Sequence, residues 1–117
     1  MKKDKLPQDL AIDLSGRSSC NVSVAAVIMD KDDRVVSWHW NNSGPDGNGM
    51  CAERGAIKRA NPKRLPGSTI YVFGRWAHSG NQVTAIPCSE CMALIRKHDL
   101  HYIWHSTKDG KWARLIV

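Results

Sequence analysis

"MCAERGAI", residues 50–57, gathers a cysteine, a glutamate and an arginine at the head of a helical pattern. Glu53, Ile57 and Ala60 recur at i, i+4 and i+7, so the glutamate shares the face that should turn inward. A carboxylate on that face is costly unless it has a partner or a task. One other stretch has the same character. "PCSEC", residues 87–91, also follows a loop and also opens a helical run. The amino ends of helices carry partial positive charge, which favours thiolates, so two such ends can jointly hold a cation through cysteine ligands.

The segments around these two stretches predict a layered fold. Leu6, Leu10, Ala11 and Leu14 fall at helical spacing before Gly16, giving a helix over 7–16. "NVSVAAVIM" (21–29) is apolar on both faces and predicts a buried strand, and "RVVSWHW" (34–40) predicts its hairpin partner across the turn "DKDD". Residues 41–50 compose a loop. A helix is expected from Cys51 to about Asn61, stopped by Pro62, then a strand at 68–76 and a second loop at 77–87. Cys88 to Lys97 predicts a helix with Cys88, Cys91, Met92 and Ile95 on one face. "HYIWHS" and "KWARLIV" predict a closing hairpin about "KDG". This order of helices and strands gives an α/β layered domain with a mixed sheet.

A chain of 117 residues suits one domain, 1–117, with a single core. No apolar run approaches the roughly 18 residues of a membrane span, so no membrane partner is expected. "MKKDKLPQDL" has no apolar segment behind its positive charges and does not read as a signal peptide, so a cytoplasmic location is expected. The net charge of +6 suits an anionic partner such as a nucleotide or nucleic acid, and equally suits an ordinary small basic protein. The basic residues form no single block. In a reducing compartment Cys20, Cys51, Cys88 and Cys91 point to a metal clip or redox pair rather than disulfides.

Cys88 and Cys91 are spaced so that both sulfurs can face one ion, and Cys51 supplies a third thiolate. Thiolates are soft ligands, and zinc is the expected ion. Three ligands leave an open corner, the pattern of catalytic zinc. A structural site would close it with Cys20 or with His39, His78, His98, His101 or His105. Glu53, two residues from one ligand, is placed to move a proton at the open corner. Three thiolates and Zn²⁺ sum to one negative charge, and Arg54 is a candidate to offset it; the alternative for Arg54 is a solvated surface side chain.

These residues resemble a family. "CAERGAIKRA" is similar to the C-A-E-R-x-A-I run of cytidine deaminases in the branch with cysteine in place of the first histidine, and "PCSEC" is similar to the second half of the zinc deaminase signature. The resemblance implies a three-layer cytidine deaminase-like fold: a mixed five-stranded sheet flanked by helices and ending in an antiparallel hairpin. It implies Zn²⁺ on Cys51, Cys88 and Cys91, attack of water at C4 of a cytosine ring, and Glu53 shuttling protons to N3 and the leaving ammonia. It also implies that the Ala52 N–H and a carbonyl near Pro87 or Ser89 hold the base edge, and that the protein is a homo-oligomer.

The chain departs from that pattern in places. Asn41 and Asn42 lack the glutamate partner that free-nucleoside deaminases carry, and Asn41 is the candidate for substrate contact or, alternatively, a turn residue. Met92 stands where an arginine is usual, and the 77–87 loop is long. Trp38 and Trp40 alternate on one strand and are expected to face the core together, while Trp76 borders the second loop as a rim or core residue or a base-stacking one. Three readings follow: a deaminase of a small cytosine nucleoside or nucleotide, a deaminase of single-stranded DNA or RNA, and a zinc-stabilised nucleic-acid-binding module without catalysis.

Overall fold

The strand that organises the molecule is β1 (Val22–Met29), apolar on both faces because it is covered on both. The computed structural model describes residues 6–43 and 49–117. β1 pairs antiparallel with β2 (Val35–Trp40) on one side and β3 (Thr69–Trp76) on the other. β3 runs parallel to β5 (Tyr102–Ser106), and the crossover between them carries the helix Ser89–Lys97. A hairpin then adds β6 (Trp112–Ile116) antiparallel to β5, completing the order β2-β1-β3-β5-β6.

Helices cover the two faces. Ala25 and Val27 of β1 meet Ala11 and Leu14 of α1 (Pro7–Ser15), together with Phe73. Ala26 and Ile28 point the other way, into the cluster built by Ala56 and Ile57 of α2 (Ala52–Arg59), Ile95 of α3 (Ser89–Lys97), Ile70, Val72 and Ile103. Each large aliphatic side chain in that cluster contributes about 1.5–3 kcal/mol relative to leaving it in water. The two cysteine-bearing helix starts therefore lie on the same face of one sheet. No described helix is long and apolar enough to cross a membrane.

The structure adjusts the expectations in three places. The five expected strands are present, but the segment 77–87 also contains a sixth, β4 (Gln82–Val83), paired with Arg75 and Gly74. Two residues are too few to show an alternation. The helix expected to reach Asn61 ends at Arg59; Ala60 is extended, and Pro62 opens a 3₁₀ turn (Pro62–Arg64) capped by Asn61, whose Oδ1 accepts from the Lys63 N–H at 3.0 Å. Trp38 and Trp40 do share a face, but only Trp40 packs against the α1 cluster; Trp38 is 38% exposed, with the Arg59 guanidinium 5.1 Å from its ring centroid. Strand alternation cannot tell that β2 lies at the edge of the sheet. Residues 44–48 of the expected 41–50 loop lie outside the described residues.

Candidate active site

Two loops deliver two cysteines in one conformation. Cys51 precedes α2 with φ −64° and ψ 147°, and Cys88 precedes α3 with φ −66° and ψ 170°. An extended residue at this position commonly caps its helix with a side-chain acceptor. Neither cysteine does, so both sulfurs are free of the helix backbone. Cys91 lies one turn into α3 and is 2% exposed. The three Sγ atoms fall within 4.8 Å of one another. Zn–S bonds of about 2.3 Å put tetrahedral sulfurs roughly 3.8 Å apart, so small adjustments suffice for one ion.

The electrostatics favour the same fit. Burial pushes the Cys51 and Cys91 thiols up, and the neighbouring Glu53 charge pushes them in the same direction. Cys51 and Cys91 thus resist ionising on their own, and a cation among the sulfurs would favour their thiolates. Among the described residues, neither Cys20 nor any histidine joins the cluster. The donor set is three sulfurs, with no fourth ligand beside them among the described residues.

Glu53 is 7% exposed, on the inward face of α2 with Ile57 and Ala60, as its spacing predicts. Burial raises its carboxyl above the usual range, against the lowering effect of its own backbone N–H. Gly55 explains how α2 comes so close to the sheet. A Cβ there would stand 2.0 Å from Cδ2 of His39, so the imidazole lies directly on the helix backbone. Sequence reading gave Gly55 no role; a glycine inside a helix was the available signal.

A cavity of about 480 Å³ opens beside the cluster. Val22, Val24, Val72, Val83, Ala85 and Ile86 form an apolar wall, and Asn41, Asn42, Ser43, Ala52, Glu53, Cys51, Thr84 and Cys88 supply polar groups or border the sulfur cluster. Among the described residues, no lysine, arginine or histidine lines it. Gly74 sets one side. A Cβ there would meet Val83 Cγ2 at 2.8 Å and Ala85 Cβ at 3.3 Å, so β4 and the residues after it lie tight on β3.

The remaining candidates are placed as follows. Asn41 lines the cavity, but its carboxamide is also engaged in the fold. Its Oδ1 accepts from Ser18 Oγ (2.6 Å) and the Val24 N–H (2.9 Å), and its Nδ2 donates to the Val22 carbonyl (2.8 Å). Ala52 is buried on the cavity wall. Ser89 is exposed and is not among the lining residues. Arg54 is exposed, with no hydrogen bond or ion pair to a described residue. Asn42, Ser43, Thr84 and Ile86 were not singled out by sequence reading; all are loop residues, and only their place in the fold brings them to the wall.

Comparison with known proteins agrees with this geometry. Residues 1–105 match the family model described as the cytidine and deoxycytidylate deaminase zinc-binding region. No curated protein matches. Among solved structures, the fold is similar to a cytidine deaminase from Burkholderia pseudomallei (20% identity, TM-score 0.69, covering 94% of this chain and 89% of that one). It is also similar to the dCMP deaminase of cyanophage S-TIM5 (18%, TM-score 0.67, covering 85% and 78%). The chain also overlays part of Acinetobacter baumannii RibD (24%, TM-score 0.58), covering 80% of this chain and 25% of that one.

Proposed function

The chain belongs to the cytidine and deoxycytidylate deaminase family, and from that premise we propose that it hydrolyses the exocyclic amine of a cytosine nucleoside or nucleotide, giving the uracil form and ammonia. The observation that carries the proposal is Glu53, a carboxyl buried beside three converging sulfurs and open to a cavity. Cys51, Cys88 and Cys91 hold the zinc. When bound, the ion supplies the Lewis acidity that makes water a nucleophile near neutral pH.

The chain's own groups do the rest. Glu53 Oε takes a proton from the attacking water, delivers it to N3 of the ring, and passes a second to the departing amine. In the net reaction the C4–N bond breaks, a C4–O bond forms, and water's two protons leave with the nitrogen and the ring. A carboxyl whose burial raises its proton affinity suits this exchange, since a general acid–base works best with a pKa near the working pH. The buried Ala52 N–H and a carbonyl near Pro87 or Ser89 are assigned to the base edge, and Asn41 to the sugar through its remaining Nδ2 proton. The uncharged apolar wall suits a neutral ring and leaves any phosphate outside. Arg54, exposed as it is, is assigned to long-range charge compensation rather than to a bond with sulfur.

The test is mass spectrometry of cytidine, deoxycytidine, their monophosphates and a cytosine-containing oligonucleotide after incubation with the zinc-loaded protein. A gain of about one mass unit on one of them, lost in Glu53→Gln at full zinc occupancy, is expected. The loss should be on the order of 10²–10⁴-fold, the usual contribution of a general acid–base. Turnover by Glu53→Gln at the wild-type rate would refute the role of the carboxyl.

A further inference from the structure

We infer that Trp76 is a stacking platform for the base next to the target cytosine, so that the site takes its cytosine from a single strand of nucleic acid. The inference rests on the deaminase reading and names the form of its substrate.

The argument begins with position. Trp76 is the last residue of β3 and lies opposite Val22 of β1. Directly opposed residues in an antiparallel pair share a face. Val22 lines the cavity, so Trp76 stands on the same face, one step beyond the wall. Gly74, two residues earlier on that face, is the close-packed floor beneath Val83 and Ala85. The line Gly74, Trp76 thus runs along the cavity's face of the sheet to the residue paired with Val22.

The second observation is exposure without a partner. Trp76 is 43% exposed, and its one described ring contact is edgewise, with His78 at 5.7 Å and 60°. Its backbone, by contrast, is fixed: its N–H donates to the Asn81 carbonyl at 2.9 Å, and its carbonyl accepts from the Gly80 N–H at 2.7 Å. A rigid backbone therefore presents an indole beside Val22 of the cavity wall. Ile86, 52% exposed, adds apolar surface to the same cavity. Every nucleobase offers a ring face, and stacking on an aromatic side chain is tolerant of sequence.

The third observation is basic charge just outside a cavity that no described lysine, arginine or histidine lines. Thr84 lines the cavity, and its Oγ1 accepts from the Lys108 N–H at 3.1 Å. Gln82 Nε2 donates to the carbonyls of Thr107 (3.0 Å) and Lys111 (2.8 Å), which ties the β5–β6 turn to the rim. Lys108 and Lys111 are both exposed there. A base in a cavity without basic residues and another on an indole, with lysines beside them for phosphates, is the division of labour that single-strand binding requires. A lone nucleoside uses the cavity and leaves the indole and the lysines idle.

The experiment measures binding and turnover separately. Fluorescence anisotropy of the zinc-loaded protein uses labelled cytosine-containing 11-nucleotide strands, one DNA and one RNA, which distinguishes the two sources. Mass spectrometry follows deamination of the same strands against deoxycytidine and cytidine. Trp76→Ala is expected to weaken strand binding roughly 5- to 150-fold, the range for one lost stacking contact, and to lower the strand-to-nucleoside ratio of kcat/KM by a similar factor. Trp76→Phe should restore most of both. Lys108→Glu should weaken binding and make its salt dependence shallower. Trp38→Ala removes a comparably exposed indole from the opposite face and should leave strand binding unchanged. Strands bound no more tightly than nucleosides, or a strand-to-nucleoside ratio indifferent to Trp76, would overturn the inference while nucleoside turnover left the deaminase reading in place. Trp76-dependent strand binding with no turnover of any cytosine would keep the platform and remove the deaminase reading.

Discussion

The chain contains one tripeptide pattern twice. Cys51-Ala52-Glu53 and Cys88-Ser89-Glu90 both open helices, and in both the cysteine is the extended residue before the first turn. Their surroundings differ completely. In α2 both residues after the cysteine are buried, Glu53 under the sheet, and burial holds on to the proton of its carboxyl. In α3 the corresponding Ser89 and Glu90 are exposed, and the first residue to turn inward is Cys91. On the proposed function, the same local chemistry serves as the acid in one helix and as a metal clip in the other. What separates them is how each helix meets the sheet. Gly55 lets α2 lie on the imidazole of His39, which brings the first turn of α2 inward. α3 has no glycine, and turns inward its Cys91 and Ile95.

If α3 is the clip, its cysteines should dominate metal retention. Cys91→Ala is expected to bring zinc from about one ion per chain to near none, and to lower the melting temperature, since binding is coupled to folding. Cys88→Ala should do the same to zinc with a smaller effect on the apo fold, because Cys88 is exposed and Cys91 is buried. Metal analysis after gel filtration, with thermal melts with and without chelator, would decide. Full zinc in either variant would break the assignment of roles between the helices.

The next effect concerns the contact that places α2. Gly55→Ala adds a methyl 2.0 Å from a ring carbon of His39. Alanine is favoured over glycine inside a helix by about 1 kcal/mol. An overlap of this size forces a shift that costs about 1–3 kcal/mol, so the variant should be less stable and less active. The double variant with His39→Ala, which clears the space, should recover part of the loss. A higher melting temperature for Gly55→Ala alone would show that α2 is not held by that contact.

Much of this architecture was legible in the sequence, for reasons that differ by element. β1 could be read because burial on both faces leaves an unbroken apolar run, and Glu53 because helical period puts it with Ile57 and Ala60. Cys88 and Cys91 could be read as a pair because their spacing at one helix start is local. The Gly55–His39 contact could not, because its partners are sixteen positions apart and neither is unusual alone. Nor could the bonds of Asn41 to Ser18 and Val22, which need the pairing of strands that sequence does not print. Trp38 was misread because alternation reports a face and not its distance from the edge.

A smaller effect of the same contact is set by pH. Burial, and secondarily the Arg59 charge, lowers the His39 pKa below its usual 6.5, and its Nδ1 is buried with no hydrogen-bond partner among the described residues. The folded state therefore prefers the neutral ring. The unfolded chain takes up the proton first as pH falls below about 6.5, so the stability that His39 contributes is present above that value and is lost towards acid. Melts from pH 8 to pH 5.5 should fall more steeply for the wild type than for His39→Gln. The Asp30–Arg64 pair, also tuned by a lowered pKa, weakens around and below 3.8 and lies outside that range. Parallel slopes would mean the ring is solvated in the folded state.

The smallest effect expected is at the second glutamate. Glu90 stands in the first turn of α3, where the helix dipole favours an anion by about 0.3–1 kcal/mol, reduced by exposure and salt. Glu90→Gln should therefore lower stability by a few tenths of a kcal/mol and leave zinc content and turnover unchanged. Its value lies in the contrast with Glu53→Gln, a chemically identical change at the same position of a matching tripeptide. If the two variants lose activity alike, then local sequence and not burial confers reactivity, and the distinction between the helices fails. If only the Glu53 variant loses it, the catalytic acid is made by the sheet that α2 lies on, and a C-x-E pattern at a helix start identifies one only where the fold buries the glutamate.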